Sequence, residues 1–162
     1  MKENSSKLLD SRDECAACVE TLIGLSRQTI YLICARFDAV LYNHRHIYDH
    51  IAELVTKNRK TEVRLIAHDT RVASRDGHYL IQLAQKFPTF VQIRTTVTPP
   101  DRKFSENWFI IDNRSFMRIR NPLRYEGYFE IDNRLECQPY IEQFNEIWDA
   151  SELDQNTRRL SI

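Results

Sequence analysis

The chain carries no excess of either charge. Its 23 lysines and arginines stand against 23 aspartates and glutamates, which gives a formal net charge of zero and a pI near 7.0. That balance excludes recognition of nucleic acid or an anionic membrane by bulk charge, so any electrostatic site has to be local. Also lacking is an apolar run approaching the roughly 18 residues of a membrane span, and the opening MKENSSKLLDSRDE holds no apolar signal region. A soluble, cytoplasmic protein with no membrane association is expected. No internal repeat or low-complexity segment appears. What is present is 162 residues, about one domain, of which 42% are apolar, enough to bury a real core.

Four cysteines, Cys15, Cys18, Cys34 and Cys137, invite a disulfide or metal reading. CAAC lies in SRDECAACVETLIGL, where Cys15, Cys18, Val19, Leu22 and Ile23 form one stripe of a helix that Ser11 and Glu14 start as a capping box. A redox pair should follow a strand and open a helix, and a zinc site needs a second ligand pair; neither is visible. The thiols read as buried structural residues. His46 and His50 stand four apart on a helix, as in zinc helices, but no glutamate fills the general-base position between them and no third ligand is spaced nearby. Neither a metal nor another cofactor is expected.

Hydrophobic patterning supplies the fold. TIYLICA (29–35), EVRLIAH (62–68) and FVQIRT (90–95) read as buried strands. Between them, HRHIYDHIAELVTKN puts Ile47, Ile51, Leu54 and Val55 on one helical face, and HYLIQLAQKF stacks Leu80, Leu83, Ala84 and Phe87 before Pro88. After a proline-marked loop, WFIID, SFMRI and YEGYFEI follow with short polar links, the pattern of an antiparallel meander. ECQPYIEQFNEIWD closes as a helix capped by Asn133. The order αβαβαβββα implies an α/β fold with a mixed sheet sandwiched by helices, its core including Ile30, Leu32, Leu65, Ile93, Phe109 and Ile111. A single domain over residues 1–150 and a frayed polar tail over 151–162 are expected.

This order, with an apolar strand ending in Asp112, resembles one half of the phospholipase D superfamily fold. That family carries His-x-Lys-x4-Asp followed by Gly-Ser-x-Asn. A histidine and a lysine two apart on a strand share a face, so nucleophile and phosphate-binding charge converge. With the acid anchored on Asp112, the histidine position falls on Ser105, the lysine position on Asn107, and Asn121 lies one place from the later asparagine. Serine without a base is a poor nucleophile, and asparagine brings no charge to a phosphoryl transition state. The resemblance therefore implies Ser105 and Asn107 side by side on one strand face, with Asp112 and Asn121 orienting them, no histidine or lysine near enough to act for them, and no catalytic residue. The chain is also similar to an uncharacterised bacterial domain of this type, found alone or appended to acetyltransferase-like proteins. Relatives with one half per chain pair around their motifs, which implies a homodimer; Trp108, Phe116 and Met117 are apolar groups suited to such an interface.

Two further clusters deserve testing. In open α/β sheets ligands gather beyond the carboxyl ends of the parallel strands, where this chain carries Arg36, Asp38, His68, Asp69 and Arg71, then Arg75 and His78. They could grip an anion or phosphate, or simply cap loops and pair with one another. Arg118 and Arg120 share a strand face opposite Met117 and Ile119, and with Arg114 and Arg124 form a basic strip beside Tyr125 and Tyr128. The zero net charge argues against nucleic acid there. The leading reading is a non-catalytic module that binds a protein partner or an anionic, phosphate-containing ligand. The competing readings are a phosphodiesterase or nuclease with an atypical nucleophile such as His68 or His78, and a weak nucleic-acid-binding domain.

Overall fold

The computed structural model describes residues 6–157. Its elements run β1 (Ser6–Leu9), α1 (Arg12–Leu25), β2 (Thr29–Cys34), α2 (Ala39–Tyr42), α3 (Arg45–Lys57), β3 (Glu62–Ala67), α4 (Arg71–Asp76), α5 (Tyr79–Lys86), β4 (Val91–Thr95), α6 (Pro99–Arg102), β5 (Asn107–Ile111), β6 (Ser115–Asn121), β7 (Glu126–Glu130), α7 (Arg134–Ala150) and β8 (Glu152–Leu153). With the short helices α2, α4 and α6 and the edge strands β1 and β8 set aside, the order is αβαβαββββα, one strand more than the expected string because β4 precedes the three strands of the meander. One mixed sheet holds every strand, in the order β1-β7-β6-β5-β2-β3-β4-β8. β2, β3 and β4 are parallel, and β5 returns antiparallel against β2, followed by the β5-β6-β7 meander.

The alternation of strand residues sorts the core into two layers. Ile30, Leu32, Val63, Leu65, Ile93, Phe109 and Ile111 face α1, α3 and α5, which deliver Val19, Leu22, Ile47, Ile51, Leu80 and Leu83. Tyr31, Ile33, Ile66, Trp108, Ile110 and Phe116 face the opposite way, against Ile141, Phe144, Ile147 and Trp148 of α7. The strands in the middle are apolar on both faces because helices cover both. Each large side chain buried in this way contributes roughly 1.5–3 kcal/mol. At the margin of the α7 layer, Arg64 and Arg94 lie over the Trp148 ring at 5.1 and 5.0 Å, closing an apolar face with long stems and charged ends.

Helix ends follow the sequence. Ser11 Oγ accepts the Glu14 N–H at 3.1 Å while the Glu14 carboxylate accepts the Asp10 N–H, and Asn133 Oδ1 accepts the Glu136 N–H. The four cysteines are free and buried. Burial pushes the Cys18 thiol up to about 12, so it stays protonated at neutral pH. His50 turns its Nε2 to Ser26 Oγ at 3.0 Å, which ties α3 to the end of α1.

The tail departs from expectation. Instead of fraying after Ala150, Thr95 and Arg94 pair with Glu152 and Leu153, and Asp154 is buried with its carboxylate accepting from Thr70 Oγ1 and Thr157 Oγ1. A two-residue strand latched by one buried carboxylate carries no hydrophobic period, which is why the sequence does not advertise it. Residues 158–162 lie outside the described chain. Among the described residues no helix is long and apolar enough to cross a membrane.

Gly127 marks a tight point of the sheet. It sits between Leu9 of β1 and Ile119 of β6, beside the register shift between Ile119 and Asn121, and a Cβ there would come within 2.0 Å of the Arg118 carbonyl oxygen. Gly127→Ala is expected to lower stability by at least ~2 kcal/mol through forced displacement of β6 or β1, measured as the urea midpoint; an unchanged midpoint would refute that crowding.

Candidate functional site

Because β5 runs antiparallel to β2, its first residue lies at the carboxyl end of the parallel strands. The loop that precedes it, 103–106, therefore meets the loops that leave β2 and β3. Between them opens a cavity of about 690 Å³ lined by Arg36, Asp38, His68, Arg102, Lys103, Ser105, Glu106, Asn107, Arg120, Asn121, Leu123 and Tyr125 among others. Three of the four motif positions, Ser105, Asn107 and Asn121, share it.

The fourth does not. Asp112 closes the far end of β5, five residues and so about 16 Å from Asn107 at ~3.3 Å per residue. It adopts φ 52° and Asn113 φ 57°, the two left-handed positions of a tight hairpin turn, for which Asp and Asn are suited. Its carboxylate accepts the backbone N–H groups of Arg27, Gln28 and Thr29, each at 2.9 Å. The acid thus holds the entry of β2 and does not orient Ser105 or Asn107, a correction to the role expected of it.

Ser105 is also displaced from expectation. It is exposed in the loop before β5, not on the strand, while Asn107 is the first strand residue and only 3% exposed. Asn107 Oδ1 accepts a hydrogen bond from Tyr42 Oη at 2.5 Å. Burial drives the Tyr42 phenol well above its usual range, so it remains a donor. That orientation leaves the Asn107 amide nitrogen as the group available to the cavity.

A histidine and a lysine do stand nearby, contrary to the linear reading: His68 and Lys103 line the same cavity. The His68 ring is already spoken for. Nδ1 meets Thr96 Oγ1 at 2.6 Å and Nε2 meets the Phe104 carbonyl at 2.6 Å; a carbonyl only accepts, so Nε2 carries a proton and Nδ1 is left to accept from Thr96. His68 pins the 103–106 loop to the sheet.

The other sequence candidates divide. Asp38 caps α2 through Val40 N–H and accepts from Tyr125 Oη at 2.7 Å; burial and that bond push the Tyr125 phenol up to about 12. Asp69 is held down to about 2, chiefly by the Arg71 guanidinium, whose fork reaches it at 3.1 and 2.9 Å. Arg75 pairs with Asp76 at the surface. His78 is buried and caps α5, accepting the Leu80 N–H on Nδ1, while its Nε2 has no partner among the described residues, which costs about 1–3 kcal/mol. The basic strip dissolves into ion pairs: Arg114 with Asp132, Arg124 with Glu126, and Arg118 forked onto Glu106 at 2.6 and 3.0 Å. Arg120 alone of the four has no side-chain hydrogen bond or ion pair among the described residues, its charge acting on Glu106 from a distance. Trp108, Phe116 and Met117 are at most 5% exposed, core rather than interface. Arg102, Lys103, Glu106 and Tyr42 are cavity or support groups that sequence reasoning missed; only the position of Arg102 and Lys103 just ahead of the motif could have signalled them.

The fold is phospholipase D-like. Solved structures agree on the fold. Nuc from Salmonella typhimurium, a phospholipase D family member, is 11% identical with a TM-score of 0.64, covering 93% of this chain and 97% of that one. Phosphatidylserine synthase from Haemophilus influenzae Rd KW20 is 14% identical with a TM-score of 0.65 over 99% of this chain and 41% of that one. The archaeal chromatin protein TrmBL2, whose structure shows a novel mode of DNA binding, is 15% identical with a TM-score of 0.67; the match covers 95% of this chain and 55% of TrmBL2, about half its length. No curated relative matches by sequence. Residues 11–160 match the family described as Domain of unknown function (DUF7931), and the chain belongs to it.

Two measurements probe the supports. Asp112→Ala removes an ionised acceptor of three N–H groups and a residue tolerant of the left-handed region, so a loss of about 2–4 kcal/mol is expected by urea unfolding, with Asp112→Asn losing less. For Glu106, burial works to raise the carboxyl, and the bonds from Arg118 and Trp108 outweigh it and hold it below its ordinary value of 4.5. A depressed folded pKa means stability that is full above about 4.5 and lost as pH falls through the lower folded value. Glu106→Gln should therefore flatten the acid limb of Tm against pH below 4.5; an identical acid limb would show that the pair adds nothing.

Proposed function

We propose that this chain is a non-catalytic phospholipase D-like module whose motif cavity holds an anionic, phosphate-bearing ligand. One observation carries the reading. Arg36, Arg102, Lys103 and Arg120 line the cavity against only two carboxylates, and both are committed internally, Glu106 to Arg118 and Asp38 to Tyr125 and the α2 backbone. Arg102 spends one N–H on the Thr96 carbonyl and the charges of Arg36 and Arg120 also act on Asp69 and Glu106, but among the described residues none of the four cations is closed off in an ion pair, and Asn107 and Asn121 add uncharged polar groups.

Turnover is not part of the proposal. His68, the histidine of the cavity, has both ring nitrogens engaged, and His78 is 3% exposed, out of reach of a phosphorus atom. Ser105 has no base bonded to it in the described structure, which leaves its hydroxyl a weak nucleophile. Calorimetric titration with bis(p-nitrophenyl) phosphate should show saturable binding that falls about tenfold or more in Arg36→Ala and Arg120→Ala, both exposed sites where the fold is not at risk. Equal affinity in wild type and both variants would overturn it.

A second reading draws on the likeness to TrmBL2. The same cations could follow a nucleic-acid backbone, in which case log affinity for a single-stranded oligonucleotide should fall with log salt with a slope of a few units; a flat dependence removes this reading and leaves the small-ligand one. Pairing of two copies over the cavity is the assembly that the family resemblance implies. With the aromatic groups in the core, the apolar residue left for it at the rim is Leu123, 95% exposed. Sedimentation at micromolar concentration should then give twice the 19.3 kDa chain mass, and a single-chain mass would exclude it.

A further inference from the structure

A second cationic cavity, of about 310 Å³, opens at the end of the sheet opposite the motif. Its wall is polar throughout: Arg27, Gln28 and Thr29 at the entry of β2, Asp112, Asn113 and Arg114 of the β5–β6 turn, and Arg134 at the start of α7. These segments lie far apart in sequence, and two sets of bonds fasten them together. The Asp112 carboxylate accepts the N–H groups of Arg27, Gln28 and Thr29, each at 2.9 Å. The Asn133 N–H donates to the Arg114 carbonyl at 2.6 Å, which brings the start of α7 to the turn. Three arginines are thereby gathered around one cavity on fixed backbone.

We propose that this cavity binds the phosphate of a small monoester whose organic part stays in solvent. The charge balance carries the inference. Asp112 is the one carboxylate of the wall, and its oxygens are spent on three backbone N–H groups. Arg114 Nε stands 3.6 Å from Asp132 Oδ1, a loose pair whose side chains are 43% and 60% exposed. Arg27 gives one terminal nitrogen to the carbonyls of Gly24 and Ser26 at 3.2 and 3.1 Å. Arg134 makes no side-chain hydrogen bond or ion pair among the described residues, and both it and Arg27 are exposed. Over the lining residues three cations stand against one carboxylate, an excess of two. A phosphate monoester, dianionic above a pKa of about 6, matches that excess, and guanidinium forks fit phosphate oxygens in geometry as well as charge. The wall holds no apolar residue, so it offers nothing to a ring or an acyl chain, whereas the motif cavity has Phe104, Leu123 and Tyr125.

The inference is independent of the motif cavity and is tested on the whole chain by NMR at about pH 7.5, where a monoester is dianionic. Phenyl phosphate should shift the amide resonances of Gln28, Asn113 and Arg134 saturably. Inorganic phosphate should bind there within about tenfold of it, because the ring adds no contact, and benzoate at least about tenfold more weakly. Arg134→Glu reverses a charge at the first residue of α7, where a glutamate suits the helix start. The fold is therefore not at risk, and the affinity should fall at least about tenfold. Arg27→Gln, at an exposed side chain, should lower it about fivefold or more. Shifts confined to residues 103–107 would report the motif cavity alone and overturn the proposal. So would equal affinity in the wild type and Arg134→Glu, benzoate binding as tightly as phenyl phosphate, or inorganic phosphate weaker than phenyl phosphate by more than about tenfold.

Discussion

The antiparallel return of β5 against β2 is the constraint on which the rest depends. The four pairs from Ile30–Ile111 to Ile33–Trp108 join a parallel, helix-crossed half to a meander, and both strands are buried on both faces. Had β5 returned parallel, its start would lie at the opposite end of the sheet and the loop carrying Lys103 and Ser105 would never meet Arg36 and His68. The reversal is what makes a topological switch point between β2 and β5, the position where open sheets leave a crevice.

Around that crevice the polar groups act as fasteners. Tyr42 holds Asn107, Glu106 takes the Arg118 fork and His68 pins the loop before β5, while at the opposite end of the sheet Asp112 ties the β2 entry. Asp112 and Asn107, two positions picked out by the phospholipase D pattern, are each bonded within the fold. The strand pairing and the Asp112 clamp hold this shape without a histidine at 105 or a lysine at 107. The four cations lining the cavity come from three separate segments, which lets a local positive field coexist with zero net charge.

The strands were legible because TIYLIC, EVRLIA and NWFII are apolar runs whose lengths suit strands, and the helices because α3 and α5 keep one clean stripe. β1 and β8 were not: four and two residues carry no period, and their pairing is decided by the neighbouring strand. The alternation in FMRIRN correctly set Met117 and Ile119 against Arg118, yet nothing local could tell that Glu106, on another segment, would neutralise that arginine. Motif spacing picked out Ser105, Asn107 and Asn121, which line one cavity, and set Asp112 beside them, although the length of the intervening strand already separates the two ends by more than any side chain spans. His68 was found by its position after β3; that both of its ring nitrogens are occupied depends on Thr96 and Phe104, distant in sequence.

Whether a phosphodiester can occupy the motif cavity without being cleaved is the central question, and ³¹P NMR answers it most directly. With the protein in stoichiometric excess over bis(p-nitrophenyl) phosphate, the phosphodiester resonance should shift and broaden on binding and return in full, at its original position, when the protein is removed. Growth of a phosphomonoester resonance that disappears in Ser105→Ala or His68→Ala would contradict it.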